Sequence, residues 1–209
     1  VLLQPFCTVI PTLSHDYAEW HRGREDYALW YIEITEPKLQ HYLQKLREHF
    51  SPFLFQPNIR QFHITLFICG FLTEYQPVLN DDFSQQQLSQ QIKNLTKQKL
   101  GAFKIKTGKI QSFESALFVE ILDENNSLSI FRHLFAQNHH EIAALHYVPH
   151  ITLGLYHSAF TAEKIFEHVK TIEQQQFELD VTHLSFGYYK AKIIQGKLYA
   201  EQHIHLGKL

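Results

Sequence analysis

His63-Ile64-Thr65-Leu66 recurs as His150-Ile151-Thr152-Leu153, 87 residues further along the chain. A second block moves by the same step: Tyr31-Ile32-Glu33-Ile34 is matched by Phe118-Val119-Glu120-Ile121. One shared tetrapeptide means little, because short motifs recur by chance. Two blocks at one offset, each followed by a helical pattern, point to duplication. A weaker echo, Gly101-x-x-Lys104-x-Lys106 against Gly187-x-x-Lys190-x-Lys192, is offset by 86. The repeat covers about 28–100 and 115–173 and predicts one bilobal domain over 1–209, its lobes facing each other about a pseudo-twofold axis.

Periodicity fills in the elements around these blocks. Residues 27–35 are aromatic and β-branched and read as a strand. Glu36-Pro37 opens a helix in which Leu39, Tyr42, Leu43, Leu46 and Phe50 recur at three and four residues, and Pro52 and Pro57 end it. A strand over 62–72 precedes a Gln-rich helix over 82–100, with Leu88, Ile92, Leu95 and Leu100 as its stripe and Asp81, Asp82 or Ser84 as its cap. Residues 103–106 alternate as a half-buried strand and 116–122 form another. A helix over 127–144, with Ile130, Leu134 and Phe135 inward, leads to a strand over 146–156 entered through Pro149. Thr161 starts a helix carrying Ile165, Phe166, Val169 and Ile172, and strands over 176–188 and 197–204 close the chain. The fold class is α+β.

Charge and composition narrow the function. Nineteen Lys and Arg against twenty-one Asp and Glu give a net charge of −2, which is not the field of a protein that coats nucleic acid but leaves room for a local phosphate pocket. No run has the length of a membrane-spanning helix, and Val1-Leu2-Leu3-Gln4-Pro5 lacks the basic segment that precedes a signal peptide. Cys7 and Cys69 are too few for a disulfide framework. A soluble cytoplasmic monomer with no membrane contact and no obligate protein partner is expected.

Fifteen histidines stand out, and position separates them. Side chains alternate along a strand, so His63 and Thr65 share one face while Ile64 and Leu66 share the other, and the same holds for His150 and Thr152. A single His on an apolar strand is more often a satisfied core residue. Two of them, duplicated and brought to one cleft by a twofold, suit phosphoryl chemistry at a ribose. One neutral imidazole takes a proton from the attacking water or 2′-hydroxyl, and the other, protonated, gives one to the leaving oxygen. The threonine hydroxyls donate to the non-bridging phosphate oxygens, which gain charge in the transition state. Such a pair predicts a bell-shaped pH–rate curve around neutrality.

On these motifs, His63-Ile64-Thr65-Leu66 and Val148-Pro149-His150-Ile151-Thr152-Leu153, the chain resembles the 2H phosphoesterases. Their best-known branch is the RNA 2′,3′-cyclic phosphodiesterases, also called 2′-5′ RNA ligases. The resemblance implies two lobes of antiparallel sheet with outer helices around a central cleft. It also implies hydrolysis of 2′,3′-cyclic or 2′-5′-linked phosphates of RNA or small nucleotides, without a metal or other cofactor. His63, Thr65, His150 and Thr152 would be the catalytic quartet, with base and acid unassigned. The alternative is a module that holds a nucleotide or an RNA end in the same cleft without turnover.

Other residues are candidates for substrate contact. Tyr31 and Phe118, with Glu33 and Glu120, have cleft-facing parity, where an aromatic either stacks a base or packs. Arg22 and Arg24 flank a glycine, as holders of a terminal phosphate or as ordinary surface charge. Tyr147, Tyr188 and Lys190 are further base or phosphate contacts, and Cys69 shares the parity of His63. For a metal, His146 and His150 have helical spacing, but Pro149 argues against a helix there. His203-x-His205 shows no third ligand in the sequence, so none is expected. No Gly-rich phosphate loop is present.

Overall fold

The computed structural model describes residues 1–142 and 146–207. Local chemistry starts each main helix. Before α2 (Pro37–His49) the Glu36 carboxylate accepts from the Leu39 N–H, with Pro37 in the first turn, where its missing N–H costs nothing. Of the three capping residues expected for α3 (Gln85–Gln98), Ser84 serves: its hydroxyl accepts from the Gln87 N–H while the Gln87 side chain accepts from the Ser84 N–H. Thr161 caps α5 (Ala162–Lys170) with its hydroxyl accepting from the Lys164 N–H. The helix α4 (Ser127–Ala136) is shorter than its apolar pattern predicts, and residues 143 and 144 of that expectation lie outside the described residues. Its inward stripe is Leu128, Phe131, Leu134 and Phe135; Ile130 falls beside that stripe and is 48% exposed, contrary to the sequence reading.

The strands β1 (Asp26–Glu33), β2 (His63–Thr73), β4 (Phe103–Ser112), β5 (Ala116–Leu122), β6 (His150–Leu155), β7 (Glu178–Val181), β8 (His183–Lys190) and β9 (Leu198–His205) form one sheet. Their order is β7-β4-β5-β6-β2-β1-β8-β9, with the short β3 (Asp82–Ser84) added parallel to β2. All other pairings are antiparallel. β1 meets β2 with Tyr31 opposite Thr65 and Glu33 opposite His63. β5 meets β6 with Phe118 opposite Thr152 and Glu120 opposite His150, each residue 87 further along.

One face of the sheet packs on the helices and holds the core: Trp30, Ile64, Leu66, Phe67, Val119, Ile151 and Leu153 are buried there with Leu43, Leu88, Phe135 and Ile165. Trp30 stacks on Phe135 and donates to Gln91 Oε1, whose amide donates to the Phe135 carbonyl. A small apolar cluster of Leu29, Tyr31 and Leu198 lies on the opposite face. The N-terminal stretch, without period in the sequence, is held by hydrogen bonds from Leu3, Val9, Ile10 and Thr12 to backbone between 112 and 160, and by the short helix α1 (Ala18–His21). No described helix is long and apolar enough to cross a membrane.

Candidate active site

The site begins where β2 and β6 touch. Ile64 pairs with Ile151, a register that puts His63 opposite Thr152 and Thr65 opposite His150, all four side chains on the face away from the core. Directly opposed Cβ atoms lie about 4.5–5.5 Å apart and diagonal ones about 7–8 Å. The two imidazoles therefore occupy one diagonal of a square and the two hydroxyls the other. His63, Thr65 and Thr152 line a cavity of about 190 Å³.

Both imidazoles are oriented alike. His63 Nδ1 donates to the Gln61 carbonyl at 2.8 Å and His150 Nδ1 to the Val148 carbonyl at 2.6 Å, in each case two residues upstream. That fixes the tautomer and leaves each Nε2 for a reacting group. Burial lowers both pKa values, more than the hydrogen bonds to Gln61 and Val148 raise them. His63 falls to about 4, helped by the charges of Arg60, His150 and Arg47.

Sequence reading missed the rest of the cleft wall, which includes Arg47, Asn58, Arg60, Gln61, Tyr189 and Gln195. Arg47 donates from Nε to the Leu153 carbonyl and from Nη1 to the Arg60 carbonyl, over the Phe62 ring. Arg60 donates from Nε to the Gly196 carbonyl, and its guanidinium lies 3.9 Å from the centre of the Tyr189 ring. Gln61 exchanges two hydrogen bonds with the Leu198 backbone. Gln195 accepts from the Leu155 N–H and donates to the Phe55 carbonyl. Asn58, Arg60, Gln61 and Gln195 sit outside the regular elements, and Arg47 and Tyr189 are polar positions of α2 and β8 that an apolar period does not mark. The one available signal was the Arg60-Gln61 pair leading directly into the first motif.

Several expected contacts fall elsewhere. Tyr31 and Phe118 are 1% and 0% exposed, so neither offers a face to a base. Tyr31 packs edge-on to His63 with ring centres 5.9 Å apart, and Phe118 lies 5.2 Å from His150, so they support the imidazoles from below. Tyr147 is turned to the backbone, donating to the Thr65 carbonyl beneath the Arg132 guanidinium. Tyr188 pairs with Ala28, a residue of the helix-side core, and Lys190 is held by Asp26 and Glu25. The neighbour Tyr189, of opposite parity, is the one that lines the cleft. Arg24 is bound to Asp81 and Asp82 over the Phe71 ring, and Arg22 is exposed beside Asn80 and Asp81; neither joins the quartet. Cys69 is fully buried and turned towards Gln91, because register shifts in β2 between Thr65 and Phe67 and between Ile68 and Gly70 reset the alternation. Ile68 reaches the cleft instead.

For a metal, the structure does supply a third histidine near His203 and His205: His183 lies opposite His205, with ring centres 6.2 Å apart. Among the described residues, however, no three His, Cys, Asp or Glu side chains converge as a ligand set.

A curled antiparallel sheet with outer helices, bringing two His-x-Thr strands to one cleft, is the architecture of the 2H phosphoesterases. A profile of the 2′-5′ RNA ligase superfamily matches residues 35–192, and the chain belongs to that family. The crystal structure of Escherichia coli LigT with 3′-AMP superposes with a TM-score of 0.60 at 13% identity, covering 87% of this chain and 98% of that one. The crystal structure of a phosphoesterase gives 0.61 at 13% identity, over 88% and 99% of the two chains. A conserved protein of unknown function from Agrobacterium tumefaciens gives 0.56 at 15% identity, over 91% and 95%. LigT has also been crystallised with ATP. No curated protein sequence matches the chain.

Proposed function

We propose that this protein is a phosphoesterase that hydrolyses 2′,3′-cyclic phosphates or 2′-5′ phosphodiesters of small nucleotides or RNA ends without a metal. The observation that carries the reading is the square formed across β2 and β6, His63 facing Thr152 and Thr65 facing His150, with both Nδ1 atoms tied to backbone. A tetrahedral phosphorus at its centre meets an imidazole Nε2 on either side and a hydroxyl donor at each remaining corner. His63 is biased to the neutral form by burial and by two arginine charges, and acts as the base that takes a proton from water. The water oxygen forms the new bond to phosphorus, and the ribose oxygen leaves with a proton from His150. Thr65 and Thr152 donate to the non-bridging oxygens as their charge grows. The nucleotides found with LigT support a nucleotide as the substrate class.

The test is turnover of adenosine 2′,3′-cyclic phosphate and of a 2′-5′ dinucleotide in the presence of a chelator. His63→Ala and His150→Ala should each lower kcat by about 10²–10⁴-fold, as expected for a lost acid or base. Binding without turnover at any pH would identify a nucleotide-holding module instead, and full activity in either variant would refute the paired roles.

A further inference from the structure

Two arginines, one from each half of the chain, perform the same backbone task. Arg132, on α4, donates to the carbonyl of Leu66 and lies over the Tyr147 ring. Arg47, on α2, donates to the carbonyl of Leu153 and lies over the Phe62 ring. Leu66 and Leu153 are the closing residues of the two repeated motifs. The two sites differ in charge. Arg132 is neutralised by Glu141, which meets it with both carboxylate oxygens. Arg47 has no such partner, and neither has Arg60 beside it: among the described residues the ion pairs engage His21, Arg24, Lys104, Lys106, Arg132 and Lys190.

Two guanidinium groups thus line the cleft with no ion-pair partner among the described residues. A partly buried cation without a counter-charge is costly to keep, and a bound anion relieves that cost. Burial already pulls the pKa of both arginines down. Arg60 is also held in place, with Nε on the Gly196 carbonyl and its guanidinium carbon over the Tyr189 ring, so that outer N–H groups of the fork remain for a ligand.

The Tyr189 ring on which Arg60 lies is set along the sheet from Thr65, although the Arg60 charge still reaches His63. Tyr189 lies opposite Tyr27, whereas Thr65 lies opposite Tyr31, four residues away on β1. That is about 13 Å of strand backbone. Between the two rows the cleft is floored by Leu29 and Ile68, which pair across β1 and β2. The sequence along the floor is therefore reacting square, apolar strip, guanidinium. It fits a nucleoside lying over the strip with a phosphate at either end.

We propose that Arg60, with Arg47 behind it, forms a second anion subsite that takes a phosphate other than the one cleaved. The substrate class is then a nucleotide or RNA end carrying a 5′-phosphate, which in an RNA chain is the linkage to the preceding nucleotide. This inference rests on the phosphoesterase reading, and the experiment separates the two. The wild-type protein and Arg60→Gln are assayed with adenosine 2′,3′-cyclic phosphate and with the same compound bearing a 5′-phosphate.

The wild type should show a kcat/KM about 10–100-fold higher for the 5′-phosphorylated compound, the range of a charge-assisted hydrogen bond or two. In Arg60→Gln that preference should fall to within about threefold of unity. Equal kcat/KM for the two compounds in the wild type overturns the subsite, and this comparison decides the matter even where the variant does not fold. An equal loss on both compounds in Arg60→Gln also overturns it, because Arg60 would then serve the cleaved phosphate. Absence of turnover with either compound sinks the phosphoesterase reading alone. The subsite is then judged by calorimetry with 5′-AMP and adenosine: tighter binding of 5′-AMP that is lost in Arg60→Gln sustains it, and equal affinities end it.

Discussion

The hydroxyl of Tyr147 donates to the main-chain carbonyl of Thr65 at 2.9 Å, tying the approach to the second motif onto the backbone of the first. The bond belongs to a larger clasp. β6 pairs with β2 only at Ile64, and beyond that point side chains and irregular backbone take over the edge of β2. Arg132 donates to the Leu66 carbonyl, Glu141 accepts from the Ile68 N–H, and the Ile142 N–H donates to the Ile68 carbonyl. Tyr147→Phe keeps the ring under Arg132 and removes one hydrogen bond. It should cost about 0.5–1.5 kcal/mol of stability in a denaturant titration. As a positioning change it should lower kcat, by no more than about 10²-fold, while leaving KM nearly unchanged. An unaltered kcat alongside the stability loss would reduce Tyr147 to a purely structural role.

The pH dependence follows from the two buried imidazoles. Both are held below the ordinary value of 6.5, His63 at about 4. The unfolded chain takes up protons below 6.5 that the native state refuses. Stability from these groups is therefore intact above that value and declines as pH falls from 6.5 towards 4. For activity, the sequence-level expectation of a bell centred on neutrality moves to the acid side: the kcat/KM profile should rise as His63 loses its proton and fall as His150 loses its own. The kcat profile should lie to the alkaline side of it, since a bound phosphate anion raises both pKa values. A kcat/KM optimum above pH 7.5 would contradict the burial of this pair.

Arg24 is a structural clamp. It donates to Asp81 and Asp82, packs on Phe71 and also reaches the carbonyls of Trp20 and His21, closing the N-terminal block onto the segment ahead of β3. The Asp82 carboxyl is kept below its usual range by hydrogen bonds from the Leu79 and Val78 N–H groups and from Arg24, against the opposing effect of burial. Arg24→Met leaves two carboxylates facing each other without a cation. It should lower stability by about 2–4 kcal/mol, somewhat less than a fully buried pair because the site is partly open to solvent. The loss should be greater at neutral than at acid pH, because the Asp82 carboxyl loses in Arg24 one of the donors that hold its pKa down. A loss that does not depend on pH would assign the effect to packing on Phe71 instead.

What was legible in the sequence was what depends on short-range period. The alternation of His63 with Thr65 and of His150 with Thr152 survives because their ladders with Glu33, Tyr31, Glu120 and Phe118 run without a shift. Four residues beyond Thr65 the same rule fails at Cys69, since a bulge leaves no signature in residue type. Burial depth was equally hidden. Tyr31 and Phe118 have the parity of cleft residues yet lie beneath the histidines, Tyr31 covered by the distant Leu198 and Phe118 by Phe113 across the β4–β5 turn. The cationic wall was missed for the opposite reason. Arg60, Tyr189 and Gln195 come from separate segments, and only the tertiary fold brings them into one cavity.

Two glycines with left-handed backbone separate conformational strain from steric exclusion. Gly23 has φ +81°, and a Cβ placed there would meet nothing within 4 Å. Gly70 has φ +114°, and its Cβ would stand 2.3 Å from the Asp81 carbonyl oxygen, the same oxygen that accepts from the Phe71 N–H. Gly23→Ala therefore carries only the cost of a left-handed L-residue, about 1–2 kcal/mol. Gly70→Ala carries a comparable cost and must also push away the segment that β3 adds beside β2. It should destabilise clearly more than Gly23→Ala in matched thermal unfolding, and should expose the Phe71–Asp81 amide to faster hydrogen exchange. Equal losses for the two variants would mean that the chain before β3 yields without cost, and that its hold on β2 does not help set the far end of the strand bearing His63.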